Sequence, residues 1–104
     1  YGHSLLPMDE VLVDVAIDLG GRPYLVWNVP SISGKMVGAF DCDLVKEFMQ
    51  ALVVSARMNL HIHERCGGNA HHVVEACFKG LARALRMASR RDAAFAGVAP
   101  STKG

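Results

Sequence analysis

The chain has 104 residues, 51% of them hydrophobic, with eleven basic and ten acidic side chains and a net charge of +1. That is one domain's worth of chain with apolar material for a modest core, which excludes a disordered tail, and the near balance of charge argues against nucleic acid or a membrane surface as partner. Cys42, Cys66 and Cys77 are odd in number and form no C-x-x-C pair, so neither a disulfide framework nor a zinc knuckle is indicated and a reducing, cytoplasm-like compartment fits best.

No apolar run approaches the length of a membrane span, and no secretory signal opens the chain. Tyr1-Gly2-His3 reads as the interior of a protein, so the chain is expected to be a fragment that could lack part of its active site.

Residues 10–19 alternate, with Val11, Val13, Val15, Ile17 and Leu19 on one face and Leu12, Asp14, Ala16 and Asp18 on the other, the period of a strand with one wetter side. Gly20-Gly21-Arg22-Pro23 is turn chemistry, and Tyr24-Leu25-Val26-Trp27-Asn28-Val29 reads as the second strand of a hairpin. Pro30 to Gly34 interrupts the pattern, and Met36 to Phe40 reads as a short extended approach to Asp41, the expected N-cap of a helix over residues 42–56. Leu44, Val45, Phe48, Leu52 and Ala56 are that helix's expected buried stripe. Residues 59–65 alternate again, and Gly67-Gly68-Asn69 turns the chain into a second helix.

This second helix carries the chemistry. With His71 at zero on the wheel, Glu75 falls at about 40°, Lys79 at about 80° and His72 at about 100°, all on one arc. Val74, Cys77, Phe78, Leu81, Leu85 and Ala88 occupy roughly 240° to 340°, the expected docking stripe. His71 and Glu75 are spaced so that one ion can take both, whereas adjacent histidines are better suited to two ions, or to one ion and one substrate. Imidazoles with a carboxylate suit a borderline divalent cation such as manganese, iron, cobalt or zinc. The plainer reading is a surface ion pair, which such spacing commonly makes.

Arg83, Arg86, Arg90 and Arg91 read as a solvated helix end. Beyond Ser89 the periodicity fails, so residues 93–100 are expected as a loop, followed by Ser101-Thr102-Lys103-Gly104, either an exposed tail or an anion contact. The element order, strand, strand, short strand, helix, strand, helix, predicts an α+β two-layer sandwich, a mainly antiparallel sheet with two helices on one face.

Read in order, Pro7-Met8-Asp9-Glu10, Asp18-Leu19-Gly20-Gly21-Arg22-Pro23-Tyr24, Asn59-Leu60-His61-Ile62, Gly68-Asn69-Ala70-His71-His72-Val73-Val74-Glu75, Phe78-Lys79 and Pro100-Ser101-Thr102-Lys103-Gly104 resemble imidazoleglycerol-phosphate dehydratase over nearly the whole chain. Members of that family are tandems of two related halves that assemble into a shell of twenty-four subunits, and this chain, a single domain over residues 1–104, resembles the second half alone. The resemblance implies a hydro-lyase of histidine biosynthesis that dehydrates imidazoleglycerol phosphate to imidazoleacetol phosphate, with two manganese ions per site, in the cytoplasm, or in a plastid for a plant source. It implies that His71, His72 and Glu75 ligate metal, with His72 and Glu75 in the catalytic set, and that His71, His72, Glu75, Lys79, Ser101, Thr102 and Lys103 bind substrate, the last three at its phosphate. Many relatives place a ligating histidine in the first helix where this chain has Glu47, which either ligates through oxygen or is a solvated acid.

His61 and His63 point to one face of a strand and could line a pocket wall, and His3 is read as structural or solvent-facing. For Asp9 and Glu10 the resemblance implies a structural or supporting role in place of direct acid–base work. The acid–base carboxylate could belong to the absent half. Two other readings stay open: a metal-binding structural or assembly module without turnover, and a metallohydrolase that cleaves a phosphate ester.

Overall fold

The computed structural model describes the backbone of residues 1–96 and the side chains of residues 1–90. Strands β1 (Gly2–Met8), β2 (Val11–Asp18) and β3 (Tyr24–Asn28) lead through a 3-10 turn, Pro30–Ile32, to the two-residue strands β4 (Met36–Val37) and β5 (Phe40–Asp41). Helix α1 (Asp43–Ala56), strand β6 (Asn59–Cys66) and helix α2 (Ala70–Ala96) follow. The main sheet has the order β1-β2-β6-β3, and β4 pairs with β5 in a separate ribbon.

The alternation in β2 is realised as expected: Val11, Val13, Val15 and Ile17 are buried with Leu60 and Ile62 of β6 beneath the two helices. The two-layer α+β class holds, and the hairpin does not. β3 pairs with β6, in parallel, while β2 pairs antiparallel with β1 and β6. Parallel neighbours need a long crossover, and α1 supplies it between β3 and β6, so residues 19–23 carry the chain past β6 instead of closing a tight turn.

β1 is a strand that the alternation did not announce, because Gly2 and Pro7 weaken its pattern. Pro7 is tolerated there because β1 is an edge strand. Gly2 has a packing reason: a Cβ there would lie 2.0 Å from the Ala84 carbonyl oxygen and 2.6 Å from the Ala88 nitrogen. Gly80 repeats the device on α2, where a Cβ would fall 2.8 Å from Val15 Cγ2, and Ser4 Oγ donates to the Gly80 carbonyl at 2.9 Å.

This close approach rotates the buried stripe of α2. Val73, Ala76, Cys77, Leu81, Ala84 and Ala88 are buried, whereas Val74 and Leu85 are half-buried and Phe78 is exposed. The stripe therefore centres on small residues, about 80° round the wheel from its expected centre. α1 is corrected likewise: Val45, Met49 and Val53 are buried, but Leu44, Phe48 and Ala56 are exposed. Phe48 and Phe78 meet across the two helices with ring centroids 5.4 Å apart. The cap of α1 falls one residue later than expected, at Cys42, and Asp41 Oδ1 accepts from the Asp43 N–H at 2.9 Å. α2 runs on past Ser89 to Ala96 where a loop was expected, because Arg, Asp and Ala continue a helix without an apolar period and no proline intervenes before Pro100.

Candidate functional site

The site forms where the β1–β2 turn meets the first turn of α2. Asn69 caps the helix: its Oδ1 accepts from the His71 N–H at 2.9 Å and the His72 N–H at 3.3 Å, a cap worth about 1 kcal/mol. The backbone of both histidines is thereby fixed by a side chain two or three residues before them. Their rings diverge, with centroids 6.4 Å apart, as adjacent positions on a helix require.

Each ring has its own carboxylate. His71 Nε2 stands 3.7 Å from Glu75 Oε1, one turn on, and Glu75 Oε2 is 3.0 Å from Lys79 Nζ. On the other side, His72 Nδ1 donates to Glu10 Oε1 at 2.9 Å, and His72 Nε2 stands 3.9 Å from Asp9 Oδ2. Asp9 adopts a left-handed backbone, φ 50°, in the tight turn, a conformation that Asp tolerates better than most residues. The second oxygen of Glu10 accepts the Asn69 N–H at 2.8 Å.

These contacts set the charges. The Asn69 backbone N–H, then the His72 ring, hold the Glu10 carboxyl down at about 2, and the Glu10 hydrogen bond raises the His72 imidazole. Lys79 holds Glu75 below the ordinary carboxylate range. Among the described residues, Asp9, Glu10 and His72 bring three ligand atoms within 4.8 Å of one another.

His71, His72, Glu75 and Lys79 are therefore brought together on one arc, with His71 and Lys79 exposed and His72 and Glu75 half-buried. Glu47 lies on α1 beside a concavity it shares with Trp27, Asn28 and Lys46, and no hydrogen bond or ion pair joins it to the His71–Glu75 group. Ser101, Thr102 and Lys103 lie outside the described residues. His61 and His63 stack at 6.2 Å on the sheet face turned away from the helices. His3 joins them on that face, its Nε2 2.6 Å from Asp14 Oδ1, with Arg65 Nη1 on the other Asp14 oxygen at 3.1 Å. The residue that sequence reasoning placed only in a supporting role, without a partner, is Glu10. Its signal in the sequence was an Asp-Glu pair at a strand turn, which carries no periodicity to connect it with a helix sixty residues on.

The family profile described as imidazoleglycerol-phosphate dehydratase matches residues 1–85. The chain belongs to the imidazoleglycerol-phosphate dehydratase family. It is 50% identical to the imidazoleglycerol-phosphate dehydratase of Granulibacter bethesdensis and 53% to that of Azorhizobium caulinodans, in each case over the whole of this chain but only 53% and 52% of the relative. The crystal structure of imidazoleglycerol-phosphate dehydratase from Staphylococcus aureus superposes with a TM-score of 0.78 at 50% identity, covering 82% of this chain and 49% of that one. The Pyrococcus furiosus structure, in complex with (S)-C348, gives 0.68 at 40% identity, covering 82% and 47%. The chain thus spans about half the length of its dehydratase relatives. No described helix is long and apolar enough to cross a membrane.

Proposed function

We propose that this chain supplies half of a composite, manganese-dependent site that dehydrates imidazoleglycerol phosphate to imidazoleacetol phosphate in histidine biosynthesis. The observation that carries the reading is the division of donors at the start of α2 into two outward pairs, His71 with Glu75 and His72 with Asp9. Their atoms stand 3.7 and 3.9 Å apart, within the span of roughly 4 Å that one ion can bridge with ligand bonds of about 2.0–2.2 Å. Imidazole and carboxylate donors suit manganese, and two ligands from this chain leave each ion to be completed by other groups.

Manganese held there would supply Lewis acidity toward the substrate's ring and departing oxygen. The chain's own residues do the rest of its share. His71, His72 and Glu75 would hold those ions, and Lys79 keeps Glu75 ionised beside them. Ser101, Thr102 and Lys103 grip the phosphate through two hydroxyls and an ammonium. One Glu75 oxygen faces His71 and the other Lys79, an arrangement that supports a ligand role for Glu75 over that of a free base.

The surface beside the site supports company. Leu44, Phe48 and Phe78 expose an apolar strip on the helical layer's outer side, next to the His71–Glu75 arc, where a related half would dock. A large homo-oligomer belongs to the same proposal.

The test is dehydratase activity with imidazoleglycerol phosphate and manganese, comparing this chain alone with this chain mixed with the other half of the family's tandem. Turnover only in the mixture supports a composite site. Silence in both, alongside tight metal binding, replaces the reading with a structural metal module, and Lys103→Ala without a rise in the Michaelis constant removes the phosphate assignment.

A further inference from the structure

Glu10 sits in a turn between two strands, far in sequence from the helix it touches, yet both its oxygens are committed to the start of α2. One accepts the Asn69 N–H at 2.8 Å and the other faces His72 Nδ1 at 2.9 Å. Asn69 in turn caps the helix through the His71 and His72 N–H groups. A single carboxylate thereby fixes both the capping residue and the ring of one histidine. A carboxylate oxygen can only accept, so Nδ1 must carry the hydrogen and the neutral ring must keep its lone pair on Nε2. That nitrogen is the one turned toward Asp9 Oδ2.

The approach needs a particular neighbour. A Cβ on Gly68 would fall 2.3 Å from Glu10 Cγ and 2.4 Å from Glu10 Oε2, so glycine at 68 is what lets the carboxylate reach the helix.

We propose that Glu10 is a positioning residue: by accepting from Nδ1 it fixes the tautomer and direction of the His72 ring so that Nε2 is offered to a metal ion, with Gly68 making room for it. The metal part rests on the proposed function, whereas the tautomer does not. Carboxylate partners of ligating histidines act in this way generally, and their loss costs about 10- to 100-fold in metal affinity.

The experiment uses the full chain with nitrogen-15-labelled histidine, metal-free and at a pH above the titration of His72, with the His72 signals identified by their loss in His72→Gln. The expected result is a protonated Nδ1 and an unprotonated Nε2 at His72. In Glu10→Ala the ring should revert to the ordinary preference for a proton on Nε2 while His71 stays unchanged, and manganese affinity, read from the free-ion paramagnetic signal, should fall by about 10- to 100-fold. Glu10→Gln, whose amide oxygen still accepts from Nδ1, should keep the tautomer and lose less affinity. Gly68→Ala, which leaves the carboxylate in the chain but crowds it, should behave like Glu10→Ala, and together these two variants decide the matter if Glu10→Ala does not fold. An Nδ1–H ring in Glu10→Ala, or in Gly68→Ala where Glu10→Ala does not fold, overturns the assignment. Absence of manganese binding by the unaltered chain, both alone and mixed with the other half of the family's tandem, removes the metal reading of His72, and the metal-free tautomer still decides the role of Glu10 by itself.

Discussion

Lys79 Nζ stands 3.0 Å from Glu75 Oε2, one helical turn beyond the carboxylate it neutralises. The ammonium is the first cause of the lowered Glu75 titration, so Glu75 stays ionised, and available as a ligand, as the pH falls below the ordinary carboxylate value of 4.5. Lys79→Met should therefore move the acidic limb of manganese binding upward toward that value, and also raise the Michaelis constant if Lys79 touches substrate. Lys79 is exposed and Glu75 only half-buried, so the shift will shrink at high salt. A limb that stays in place on titration shows that Lys79 does not set the charge on Glu75.

His72→Ala and Glu75→Ala each remove one member of a donor pair. In the proposed composite site each should lower dehydration by at least about a hundredfold and weaken manganese binding. Unchanged turnover at saturating manganese would exclude the residue from the metal site.

The Glu10–His72 contact makes a two-sided prediction for the metal-free chain. Glu10 is lowered from 4.5 to about 2, so its contribution to stability is present above 4.5 and is lost as the pH falls toward 2. His72 is raised above 6.5, so its contribution is full below 6.5 and is lost as the pH rises through the raised value. The melting temperature of the unaltered chain should exceed that of Glu10→Gln most between about pH 4.5 and 6.5, with the gap closing on both sides. A gap that does not vary with pH contradicts the pairing. Manganese, which needs the unprotonated ring, should bind more tightly as the pH rises past 6.5, releasing a proton.

The packing of β1 against α2 is tested at Gly2. Gly2→Ala places a methyl group 2.0 Å from the Ala84 carbonyl oxygen, on backbone that cannot swing aside. A loss of about 1–3 kcal/mol in unfolding free energy is expected from overpacking of this kind. Denaturant titration that finds the two chains equally stable would show that β1 and α2 separate at no cost.

What the sequence determined by itself was whatever depends on near neighbours. The alternation of Val11, Val13, Val15 and Ile17 specified a half-buried strand because successive side chains in a strand leave opposite faces. The spacing of His71, Glu75 and Lys79 specified a shared helical face because residues four apart meet there, and the ion pairs at 3.7 and 3.0 Å realise it. The tertiary structure decided everything that joins distant segments. β3 lies parallel to β6 because α1 serves as a crossover, which no turn motif encodes. The buried stripe of α2 rotated onto Ala76, Ala84 and Ala88 because small residues let the helix lie closer to the sheet than its larger apolar residues would. Glu10 reached His72 because the β1–β2 turn and the start of α2 come to the same end of the sheet. Hydrophobic period reports which face of an element is buried, and it carries no information on which loop will stand beside that element's end.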